Sequence, residues 1–150
     1  FFRKQKPDII LFIGSNIIRK NFLDIPSIGV FNVHMGILPE YRGIGVTEWP
    51  IIEGRLKTVG LGITLHFMER GVDTGPIIIK KRIPLNLSKN IFNLESKYLV
   101  EMVNLMLSGV KMARDGNLVS TPQRKQDGRQ YFALHKRMKI IVEKKLARLH

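Results

Sequence analysis

Two apolar rhythms divide the chain. In the first half, apolar residues come in short runs closed by Gly or polar residues; in the second they recur every three or four positions. Residues 8–14, DIILFIG, form a continuous apolar run closed by Gly14, a pattern that predicts a strand buried on both faces of a parallel sheet. A second strand is predicted at residues 30–34, after a stretch with room for one short helix that Pro26 would end. Residues 46–55 read as a short helix capped by Thr47, with Pro50 in its first turn and Gly54 near its end. Residues 61–68 alternate: Leu61, Ile63, Leu65 and Phe67 share one face, and Gly62, Thr64, His66 and Met68 the other. ERGVDTGP is loop chemistry, and IIIKKRIPL restores a strand that Pro84 closes.

The later rhythm is helical. Ile91, Leu94, Tyr98, Met102 and Leu105, widened by Leu99, Met106 and Val110, predict an amphipathic helix over residues 90–114, with its Met residues as core filler. After a linker rich in Gly, Pro and Gln, Leu134, Met138, Ile141 and Leu149 fall near one face of a second helix whose other positions carry cations. No internal repeat or low-complexity segment interrupts the series. Strands alternating with helical or loop connections imply an α/β fold with an at least partly parallel sheet, and residues 117–150 read as a linker and basic helix appended to a unit at residues 1–116.

Composition narrows the class. The 150 residues, 44% hydrophobic and 25% charged, suit one domain with its own core. No apolar run approaches the roughly 18 residues of a membrane span, and the opening FFRKQKPD has no signal-peptide core, so a cytoplasmic location is expected. The chain has no Cys, which removes disulfides and thiolate metal sites, and no metal is expected. It begins on Phe1 rather than Met, and so reads as the later portion of a longer protein. The net charge of +13 favours anionic partners, and from Lys111 onward 11 Lys and Arg face 3 acidic residues. That basic tail is equally a solvated face.

Chemistry concentrates in FNVHMGILPEYRG at residues 31–43. Side chains two apart on a strand point the same way, so Asn32 and His34 share a face while Phe31 and Val33 share the opposite one. Packing could explain two buried polar groups satisfied by neighbours. Against that, ligands of open α/β sheets collect beyond the carboxyl ends of strands, where Asn32, His34 and the loop after Met68 would lie. The GSN at residues 14–16 has a single Gly, far short of a dinucleotide fingerprint.

The ordered series FNVHMGILPEYRG, GITLH and GVDTGPII resembles the catalytic core of the folate-dependent formyltransferases, whose members act on methionyl-tRNA, phosphoribosylglycinamide or sugar nucleotides. The resemblance covers residues 7–85. It implies a Rossmann-like, mostly parallel sheet with flanking helices (the formyltransferase fold), lacking its N-terminal strands. It implies 10-formyltetrahydrofolate as formyl donor and a primary amine as acceptor. Asn32 and His34 match the pair that polarises the formyl carbonyl and stabilises the oxyanion. Asp73 matches the carboxylate that orients His34 and helps relay the amine proton. Thr64 and His66 match supporting positions. Phe12, Gly14, Ser15, Asn16 and Ile17 resemble the segment lining the pterin pocket, and Glu69, Gly71 and Val72 the loop closing over it.

Two departures stand out. Gly36 occupies a position where most members carry Ser, and the first strand and helix units of the domain are missing. An exposed sheet edge would follow, with instability, dimerisation or dependence on the missing portion. GIGVTEWPIIEG differs from the loop of methionyl-tRNA and purine-pathway members, which leans the acceptor toward an amino sugar on a nucleotide diphosphate. Methionyl-tRNA is the alternative, with nucleic acid as a partner in that case alone. A hydrolase releasing formate from the same folate could use the same trio. A nonenzymatic basic module binding polyanions ranks last, because the tail's aromatics are Tyr131 and Phe132 alone.

Overall fold

The structure, a computed structural model, describes residues 2–14, 18–84 and 90–148. A helical turn, α1 (Phe2–Gln5), leads into β1 (Ile9–Phe12), a short helix α2 (Lys20–Leu23) and β2 (Gly29–His34). Next come β3 (Tyr41–Gly43), α3 (Trp49–Ile52), β4 (Leu61–Phe67) and β5 (Ile77–Ile83). The long α4 (Ile91–Arg114), a 3₁₀ turn (Lys125–Asp127), β6 (Arg129–Tyr131) and α5 (Lys136–Ala147) complete the order.

Four strands form one sheet in the order β1-β2-β4-β5. β1 and β2 pair in parallel, while β2 with β4 and β4 with β5 pair antiparallel. The sheet is therefore mixed, and the expected parallel character is confined to one pairing. The loop at residues 68–76 explains part of this, since a parallel return needs a crossover of a dozen or more residues. A second, two-stranded ribbon pairs β3 with β6 in parallel.

The alternation of β4 separates the two faces of the sheet. Phe31 pairs with Phe67 and Val33 with Leu65 on the apolar face, and Leu94, Tyr98, Met102, Leu105 and Met106 of α4 join them in one cluster. Asn90 caps α4 by accepting from the Asn93 amide at 2.8 Å. Close approach rests on Gly109, where a Cβ would lie 2.4 Å from Leu65 Cδ2. Asn32 pairs with His66 and His34 with Thr64 on the other face, so the polar half of the alternation is delivered to one place.

Several expectations are corrected. β1 is not buried on both faces: it lies at the sheet edge, and Leu11 is 45% exposed. Thr47 does not cap α3. It is buried, Glu48 takes the cap position without a side-chain cap bond, and the helix is confined to Trp49–Ile52, with Pro50 in its first turn as expected. Leu99 lies off the buried stripe of α4 at 57% exposure. In α5, Val142 and Leu146 are buried and Ile141 is exposed, because the helix starts only after His135 and its inner face is set by contact with the main cluster. Leu149 lies outside the described residues.

Candidate active site

The polar face gathers four side chains from two strands and a loop. His66 fixes the arrangement. Its Nδ1 lies 2.7 Å from the Phe67 carbonyl oxygen, which can only accept, so Nδ1 carries the proton and Nε2 of the neutral ring is an acceptor. Asn32 Nδ2 lies 3.2 Å from that Nε2 and donates to it. The orientation of the Asn32 amide follows, and its Oδ1 is left buried without a hydrogen-bond partner among the described residues. Burial drives the His66 pKa down to about 4; the Asp73 carboxylate pulls upward and His34 downward. The ring is neutral at physiological pH.

His34 is set by the same logic. Its Nε2–H donates to the Tyr41 carbonyl oxygen at 2.8 Å, which leaves Nδ1 facing Asp73 Oδ2 at 3.4 Å. A proton taken up at Nδ1 would meet a carboxylate directly. Asp73 Oδ1 lies 3.6 Å from His66 Nε2, and Oδ2 accepts from the Gly43 amide at 2.8 Å. Asp73 has φ +52°, a left-handed conformation uncommon for residues with a side chain and, after glycine, adopted mainly by Asn and Asp. Thr64 braces the loop behind His34: its hydroxyl donates to the Gly36 carbonyl at 2.7 Å and accepts from the Leu38 amide at 3.1 Å. A Cβ on Gly36 would lie 2.8 Å from His34 Nε2, so this ring position needs the glycine.

Asn32, His34, His66 and Asp73 are thus brought together, with Thr64 bracing the loop behind them. Phe12 pairs in register with Asn32, on the same face of the sheet, and lines a cleft of about 420 Å³ with Ile18, Arg19, Phe22 and Ile25. Gly14, Glu69 and Gly71 are exposed and Val72 is half-buried. Ser15, Asn16 and Ile17 lie outside the described residues. Tyr41 and Trp49 are packing anchors: Tyr41 is fully buried, its ring 4.9 Å from that of Tyr131, and Trp49 Nε1 donates to the Phe132 carbonyl. Sequence reasoning missed Gln123, whose amide reaches the carbonyls of Asp73 and Gly75 from a stretch read as linker. No local pattern there signals it. Among the described residues no cluster of His, Asp and Glu could hold a metal ion, and no helix is long and apolar enough to cross a membrane.

The family model described as "Formyl transferase" matches residues 2–110. The chain belongs to the formyl transferase family. Methionyl-tRNA formyltransferase from Agathobacter rectalis is 33% identical over 142 residues, covering 94% of this chain and 45% of that protein. The chain spans from about a third to just under half of the length of such curated relatives. Among solved structures, the formyltransferase PseJ from Anoxybacillus kamchatkensis, in complex with UDP-4,6-dideoxy-4-formamido-L-AltNAc and tetrahydrofolate, superposes with a TM-score of 0.67 at 23% identity. It covers 83% of this chain and 64% of its own. The sugar 3N-formyl transferase WlaRD, in the presence of dTDP and 5-N-formyl-THF, gives 0.67 at 19% identity, over 93% of this chain and 53% of its own. Both are likenesses of fold.

Proposed function

We propose that the chain carries the formyl-transfer centre of its protein, moving a formyl group from 10-formyltetrahydrofolate to a primary amine. The observation that carries this reading is the hydrogen-bond chain Phe67–His66–Asn32, which orients the buried Asn32 amide on the sheet face that also carries His34, beside Asp73. The folate supplies the formyl group when bound. Asn32 has a second Nδ2 hydrogen for an oxygen that gains charge. His34 Nδ1 and Asp73 form the pair that takes and holds the amine proton. Neutral His66 positions Asn32 rather than handling a proton. The cleft lined by Phe12, which pairs in register with Asn32, offers mostly apolar surface to the flat end of a folate. PseJ and WlaRD, of the same fold, are described with tetrahydrofolate and formyl-THF.

For the acceptor we propose an amino sugar carried on a nucleotide diphosphate. Its support is the likeness to structures that hold a UDP-sugar or dTDP, and the excess of Lys and Arg available to phosphates. Methionyl-tRNA is favoured by the higher sequence identity of the curated relatives. An assay of the intact protein with 10-formyltetrahydrofolate, a panel of nucleotide-linked amino sugars and charged initiator tRNA separates the two. A mass gain on one sugar is the expected result. Transfer to tRNA alone replaces the acceptor and keeps the site. Formate released with every acceptor unmodified overturns the transferase reading in favour of a hydrolase.

A further inference from the structure

We infer that Gln123, in the segment between α4 and β6, is a positioning residue that sets the Asp73 carboxylate at the site. Its Nε2 donates to the Asp73 carbonyl oxygen at 3.0 Å and to that of Gly75 at 2.6 Å. Its Oε1 accepts from Arg42 Nε at 3.2 Å and Nη2 at 3.1 Å. Arg42 is itself buried and ties back to the same segment through the Arg124 carbonyl at 3.1 Å. One amide thus joins the loop bearing Asp73 to the residue before Gly43. Gly43 in turn donates its amide to Asp73 Oδ2 at 2.8 Å. The backbone of Asp73 is held from one side and its carboxylate from the other.

Asp73 needs that restraint. Its left-handed backbone is uncommon outside glycine, and here its neighbours fix it. Thr121 fixes the position of Gln123, because it exchanges backbone bonds with Ile77 at 2.8 Å in each direction, just past the loop. The segment cannot retreat at its other end either. A Cβ on Gly128 would lie 1.6 Å from the Pro39 carbonyl oxygen, so β6 is seated hard against the loop behind His34. Gln123 therefore acts through Asp73, without touching Asn32 or the rings, and its effect is on where the carboxylate stands relative to His34 Nδ1.

The kinetic consequence rests on the formyl-transfer reading, whereas the geometric one does not, and the test uses both. Two variants are made in the intact protein: Gln123→Leu removes every bond, and Gln123→Glu keeps an acceptor for Arg42 while losing both donated bonds. Amide NMR reports on Gly43 and on Ile44, whose amide bonds to the Tyr131 carbonyl in the same ribbon at 3.1 Å. In both variants the Gly43 amide proton should move upfield and exchange about tenfold faster while Ile44 is unchanged. Turnover should fall about 10- to 100-fold with KM for the folate unaltered, as for a displaced catalytic group. An unmoved Gly43 overturns the inference. So does a joint change of Gly43 and Ile44, which makes Gln123 a residue of the ribbon fold, and so does a raised KM with kcat intact. If the unmodified protein transfers no formyl group, the functional reading fails while the amide result still decides this one.

Discussion

His66 makes stability depend on pH in a way the structure quantifies. In the folded chain its ring is buried and neutral, with a pKa held at about 4. In the unfolded chain the same ring titrates near its ordinary 6.5. As pH falls below 6.5 the unfolded chain takes up a proton that the folded chain refuses, so the loss begins there and is complete near pH 4. At about 1.4 kcal/mol per pH unit, that window amounts to about 3 kcal/mol. The perturbation is His66→Gln, which removes the titration. At pH 7 the variant should be less stable by about 1–3 kcal/mol, since bonds to Asn32 and Phe67 are broken or weakened. Urea unfolding followed by the fluorescence of Trp49, the sole tryptophan, gives both stabilities across pH. Carboxylates remote from His66 drop out of the difference, and Asp73, 3.6 Å from its ring, is the one that does not. The advantage of the unmodified chain should shrink steadily below pH 6.5 and vanish or reverse near pH 4. A gap that stays constant from pH 7 to pH 4.5 would refute a neutral, buried His66.

Three further outcomes follow from the same geometry. His34→Ala and Asp73→Ala should each lower formyl transfer at least about a hundredfold with little change in unfolding midpoint; near-normal turnover in either would remove the assignment. Gly36→Ser should turn the His34 ring off the Tyr41 carbonyl, because the new Cβ would stand 2.8 Å from Nε2 and 3.0 Å from Val46; imidazole nitrogen spectra with an unaltered His34 tautomer would contradict this. Leu94→Ala empties a side chain that is 1% exposed beneath the sheet, and should cost about 2–5 kcal/mol in chemical denaturation without touching the site.

What the sequence disclosed follows from the range over which each feature is determined. The alternation from Leu61 to Phe67 was legible because one face of β4 meets α4 and the other the site. The Asn32 and His34 pair was legible because two residues of strand return a side chain to the same face. Asp73 was found by family resemblance, since nothing local ties a loop aspartate to a strand thirty-odd positions earlier. The exposure of Leu11 and the mixed sheet depend on which strands become neighbours, which short apolar runs do not encode. β3 and β6 have three residues each, too few for any rhythm, and their partners are far apart in sequence. Gln123 was invisible for the same reason.

That ribbon imposes an order on assembly. Residues 41–43 find their partner only when residues 129–131 exist, across a pairing that spans most of the chain. Contacts of such separation close late, after local helix and hairpin formation has shortened the intervening path. On the ribosome, the sheet and α4 can gather while the loop carrying His34's carbonyl partner is still unpaired. A nascent or truncated chain stopping before Gln123 would own every residue of the quartet and lack the device that aligns them. Alignment of the quartet therefore waits on residues 123–131, which tie the Asp73 loop to the ribbon.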